Sequence, residues 1–154
     1  MAYLRVLLVL AAGAAAGCSL LRGSPEEYME TPVLDRPFDA IWDVTAGVLR
    51  REFGGVDLID PSKKVIESAW DTHLHPKGMA GYRSRGIVEV VEEEKGYRIR
   101  VRVRKQGNHD VWRPLDFRYA EWQEAPDDGV RAERVRWLIE TELQTGSPPA
   151  SEKR

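Results

Sequence analysis

The stretch YRSRGIVEVVEEEKGYRIRVRVR, residues 82–104, decides the fold. Two alternating runs flank the turn-like Glu93-Glu94-Lys95-Gly96, the pattern of a β-hairpin. In the second run Tyr97, Ile99, Val101 and Val103 fall on one face, and Arg98, Arg100, Arg102 and Arg104 fall on the other, as the two-residue period of a strand requires. Pairing Glu92 with Tyr97 across a four-residue loop sets Val90 opposite Ile99, Val88 opposite Val101 and Glu89 opposite Arg100, which makes both faces chemically consistent. The valine face needs a cover, and the rest of the chain has to supply it.

Upstream, Phe38, Ile41, Trp42, Thr45, Val48 and Leu49 trace one stripe of an amphipathic helix over residues 37–53, closed by Gly54-Gly55. A short strand fits residues 56–59, a turn fits Asp60-Pro61-Ser62, and a further strand fits residues 64–72. Downstream, residues 106–110 read as a loop. Residues 111–122 are aromatic but interrupted by Pro114, which suits an edge strand or a packed loop. Asp127 and Asp128 precede a second helix over residues 129–143, with Val135, Leu138, Ile139, Glu142 and Leu143 on its inner side. The order predicts an α+β fold: an antiparallel sheet of about four strands with two helices packed on one face as a two-layer sandwich.

The N-terminus carries an address. Arg5 precedes an apolar run over residues 6–16, which is followed by Gly17 and the only cysteine, Cys18. Eleven residues are too few for a transmembrane helix, which needs about 20. The string Ala15-Ala16-Gly17-Cys18 resembles the signal of bacterial lipoproteins, although Ala15 stands where a leucine is usual. That resemblance implies cleavage before Cys18 and acylation of Cys18, and Ser19 in place of an aspartate implies an outer-membrane location facing the periplasm. More than one acyl chain gives stable anchoring. The division expected is a lipoprotein signal peptide at 1–17, a lipidated cysteine and flexible tether at 18–31, a single α+β domain at 32–145 and a disordered tail at 146–154.

The helix with Phe38 and Trp42, Gly54-Gly55, a short apolar strand, Asp60-Pro61 and a strand ending in Trp70 looks like the small α+β domains of envelope lipoproteins, such as the helix-grip domains of the barrel-assembly lipoprotein BamC. The likeness covers residues 37–72, implies a scaffold or adaptor role with an envelope protein partner, and transfers no functional residue.

The formal net charge of −2 gives no global attraction to nucleic acid. Arg98, Arg100, Arg102 and Arg104, with Arg83 and Arg85 on the neighbouring strand, could present a guanidinium array to an anionic envelope ligand such as a glycan, a lipid head group or an acidic protein surface. The alternative is the ordinary charged exterior of a half-buried sheet. His73, His75 and the pair His109-Asp110 have permissive but undiagnostic spacing and read as solvated loop residues, so no metal and no cofactor is expected. Trp42 and Trp137 read as core, and Trp112, Tyr119 and Trp122 as packing or loop anchors, with a peptide or glycan groove as the alternative. No GxSxG elbow, HExxH helix, phosphate loop or dinucleotide fingerprint is present, so the expectation is a non-catalytic protein.

Overall fold

The computed structural model describes residues 26–74, 80–110 and 112–146. The elements in chain order are β1 (Met29–Glu30), α1 (Phe38–Phe53), β2 (Val56–Asp60), β3 (Val65–Ser68), β4 (Asp71–His73), β5 (Tyr82–Glu93), β6 (Gly96–Asn108), β7 (Trp122–Ala125) and α2 (Gly129–Thr145). All strand pairs are antiparallel. The sheet order is β1-β6-β5-β3-β2, with β4 also on β5 and β7 also on β6. This seven-stranded open sheet overturns the expected four-stranded helix-grip sandwich.

The difference has local causes. The segment expected as one strand over 64–72 breaks after Ser68, whose hydroxyl accepts the Gly86 N–H at 2.9 Å in place of a backbone carbonyl. Ala69 N–H donates instead to Gly55 O. β1 lies within the residues expected as a flexible tether, and β7 is four residues long. Neither strand is long enough to show a two-residue period.

The β5–β6 pairing does follow the expected register, with Glu92 opposite Tyr97, Glu89 opposite Arg100 and Val88 opposite Val101. It extends one step further, to Glu93 opposite Gly96, so the connection is the two residues Glu94-Lys95 rather than four.

Both helices contribute to one apolar core on the valine face: Ile41, Val48 and Leu49 of α1, Val135 and Ile139 of α2, and Ile66, Val88, Ile99, Val101 and Val103 of the sheet are all fully buried. α1 ends at Gly54, whose φ of 79° is the left-handed conformation that glycine adopts without a Cβ penalty. Gly86 faces this helix. A Cβ there would lie 2.8 Å from Leu49 and Phe53 side-chain atoms, so the missing side chain is what allows α1 to press onto β5.

Arg131 locks the two helices to the sheet. Its guanidinium donates to Ser84 Oγ at 2.6 Å, meets Asp71 Oδ2 at 2.7 Å, donates to the Glu52 carbonyl and covers the Phe53 ring. Trp137, expected in the core, is 56% exposed, because it sits two residues from Val135 and therefore on the far side of the helix.

Candidate interaction surface

Strand alternation puts Arg83 and Arg85 of β5 and Arg98, Arg100, Arg102 and Arg104 of β6 together on the face opposite the helices. The sequence-derived array therefore exists as a surface. Its occupants, however, are carboxylates of the chain itself. Arg85 pairs with Glu67 at 2.9 Å and with Asp57. Arg98 meets Glu93 at 3.0 Å, Arg100 meets Glu89 at 2.9 Å and Glu30 at 3.2 Å, and Arg104 meets Glu124 at 2.6 Å. Arg102 is the most enclosed member of β6's row, between Asp127 at 2.7 Å and Glu26 at 2.5 Å. Burial works against the charge of Arg102, but the two carboxylates outweigh it and hold its pKa above the ordinary guanidinium value.

Much of this pairing comes from residues 26–31, EEYMET, which lie along β6 as a docked strap. Glu26 and Glu30 supply carboxylates. Tyr28 places its ring under the Arg100 guanidinium, 4.2 Å from the centroid, and donates its hydroxyl to Glu89 at 2.9 Å. Burial first, and then this bond to a carboxylate, raise the Tyr28 pKa. Thr31 ends the strap, with its carbonyl accepting from Arg98 at 3.2 Å. The flexible tether expected through residue 31 thus gives way to ordered, paired chain from Glu26 onwards. Sequence reasoning missed the strap, although the acidic residues of EEYMET and the arginines of β6 are complementary in charge.

Arg83 differs from the other five. Among the described residues it has no carboxylate partner; its Nε donates to Gln106 at 2.7 Å, and its guanidinium lies between Trp70 and Trp122, 4.4 and 4.8 Å from the ring centroids. Burial lowers its pKa first, and the neighbouring Arg85 and Arg104 charges lower it further against the opposing pull of Glu124. Guanidinium between two indoles is a stable cation–π arrangement.

Beyond Trp122 lies the connection between β6 and β7. Its base is closed by Asn108, whose Oδ1 accepts from the N–H groups of Asp110 and Glu121 at 3.0 Å each, and by His109 N–H donating to Glu121 O. Asp110 Oδ1 accepts from the N–H of Trp112 and Arg113, and Asp116 Oδ1 accepts from the N–H of Arg118, which starts a 3₁₀ turn over Phe117–Tyr119. Asp110 and Asp116 are thus turned to the loop's own backbone, while large apolar side chains nearby are exposed. Trp112 is 88% exposed, Leu115 68% and Phe117 57%, with Tyr119 exposed as well. The expectation that Trp112 packs or anchors the loop is corrected for its ring, whereas the Tyr119 ring, half exposed, carries the Arg113 guanidinium at 3.3 Å. Trp122 does pack, against Arg83 and Phe117.

Of the histidines, His73 touches Asp71 at 3.1 Å and the Tyr82 ring. His109 belongs to the loop base, and His75 lies outside the described residues. The structure does not bring His73 and His109 into a shared ligand set: among the described residues no three histidine, cysteine, aspartate or glutamate side chains are grouped to hold a metal ion. Cys18 also lies outside the described residues. No protein-family model matches this chain, and no curated protein matches it significantly in sequence.

Proposed function

We propose that this chain is a lipid-anchored envelope lipoprotein, held through Cys18 in the outer membrane facing the periplasm, where it acts as a non-catalytic adaptor or assembly protein. The observation that carries the reading is the lone cysteine placed directly after an apolar run and the small residues Ala15-Ala16-Gly17. The docked strap fits such a role. It leaves only the seven residues 19–25 between the acylated cysteine and the ordered domain, so the domain is held close to its membrane. A Cys18→Ser chain should lose acylation and leave the membrane fraction; membrane retention with an unchanged mass would overturn the anchoring.

A second reading, recognition of an anionic envelope ligand by the arginine face, is favoured at one position. Arg83 alone of the six has no carboxylate contact among the described residues, and its two tryptophans add a surface on which a sugar or peptide plane can stack. Envelope crosslinking of wild type and Arg83→Ala tests both readings. A ligand captured by wild type in a salt-sensitive manner and lost in the variant supports this second reading, whereas a protein partner retained by both supports the adaptor.

A further inference from the structure

We propose that the loop between β6 and β7 is a second membrane contact, which places Trp112, Leu115 and Phe117 in the head-group region of the bilayer that carries the anchor. The inference rests on the lipid-anchor reading and adds to it an orientation of the domain.

The first argument is reach. β1 runs antiparallel to β6, with Met29 opposite Val101, so the strap, followed back from Thr31 to Glu26, points towards the Asn108 end of β6, where the loop begins. From Arg102, which holds Glu26, to Asn108 is six residues of strand, about 20 Å. From Glu26 back to Cys18 is eight residues, spanning at most about 28 Å when extended. That length lets the anchor stand level with the loop and limits how far beyond it the bilayer can lie.

The second argument is composition. Three large apolar side chains, Trp112, Leu115 and Phe117, are exposed within six residues of one loop, near the amphipathic ring of Tyr119, the residue types that settle at a membrane–water boundary. Asp110 and Asp116 bind backbone N–H groups on either side of Leu115 and hold the turns of this segment.

Charge narrows the kind of surface. Arg118 is paired with Asp116 at 2.8 Å and Arg113 lies over the Tyr119 ring at 3.3 Å, so among the described residues of the loop there is no unpaired cationic cluster to seek anionic lipid. The contact is apolar and independent of lipid charge. Among the described residues no helix is long and apolar enough to cross a membrane, so the loop contacts the bilayer surface and does not start a span.

The test uses full chain purified in acylated form and reconstituted into phosphatidylethanolamine vesicles containing phosphatidylcholine brominated near the top of its acyl chains. Bromine quenches tryptophan fluorescence only at short range. Wild type should be quenched, the quenching should persist at high salt, and Trp112→Ala should lose a large part of it, because Trp42 sits by Phe38 and Tyr97 at the opposite end of β6; the remainder comes from Trp122, whose ring meets Phe117. Trp112 is too exposed for this change to affect folding. Protein that floats with the vesicles but is not quenched, or is quenched equally in the variant, overturns the loop contact alone. Protein that does not float overturns the anchor and the loop contact with it. A Trp112→Ala chain that keeps wild-type lipid quenching but loses a crosslinked envelope protein assigns the loop to that protein and overturns the proposal.

Discussion

Thr31 and Ile99 are bound to each other twice: Thr31 N–H donates to Ile99 O at 3.0 Å, and Ile99 N–H donates to the Thr31 hydroxyl at 3.0 Å. Both residues are buried, at 1% and 0% exposure. A side-chain oxygen thus takes the place of a strand carbonyl, and the strap ends in a fixed position against the hairpin half of β6. Thr31→Val keeps the shape but leaves the Ile99 N–H without its acceptor, which costs about 1–3 kcal/mol for a buried donor. Chemical denaturation should show that loss, and a stability equal to wild type would mean that the strap is not seated in solution.

The arginines of β6 should not behave alike. Arg102 and Asp127 are mutually enclosed, with side chains 15% and 12% exposed, whereas Arg104 and Glu124 are more open. Arg102→Ala should cost about 2 kcal/mol by stranding Asp127. Arg104→Ala should cost under about 1 kcal/mol, the ordinary worth of an exposed ion pair. Melting curves of the two variants compare them directly.

Two inward positions should be intolerant for different reasons. Val101→Asp places a carboxylate without a partner in a fully buried site, a penalty of several kcal/mol against a total stability of roughly 5–15, and should abolish the cooperative unfolding transition. Gly86→Ala adds one methyl group against Leu49 and Phe53 and should cost about 1–3 kcal/mol while keeping the fold, as circular dichroism with a lowered melting temperature would register.

Burial opposes the charge of Asp71, but Arg131 and then His73 outweigh it and hold its pKa below the ordinary carboxylate value. A carboxylate depressed in the folded state contributes stability that is fully present above its unfolded pKa, about 3.9, and is lost as pH falls through the lower folded value. Asp71→Asn should therefore destabilise the protein near neutral pH, and the gap from wild type should close below about pH 4. A gap that is constant with pH would show that the Asp71 charge does not support the fold.

How far the sequence could be read depended on the length of each pattern. The β5–β6 hairpin register was legible because the unbroken two-residue period excludes every odd shift that would turn Val88, Val101 and Val103 outward, and the turn around Glu93 to Gly96 selects among the even ones. The helices were legible from their apolar stripes, apart from Trp137, where aromatic character was weighed above helical phase. The strap was not legible, because Glu26 to Thr31 has the polar composition of a linker and acquires structure through β6, some 70 residues later. The exposure of Trp112 and Phe117 in the β6–β7 loop was hidden by the general tendency of large aromatic rings to be buried.

The account depends most on Cys18, and mass spectrometry of the N-terminal peptide, from the full chain expressed in a bacterium with an outer membrane, tests it most directly. The expected result is a peptide that begins at Cys18, lacks residues 1–17, and carries a diacylglyceryl thioether together with an acyl group on its amine. A chain that retains Met1 or Ala2, or one cut near Ala16 with an unmodified thiol at Cys18, would contradict it.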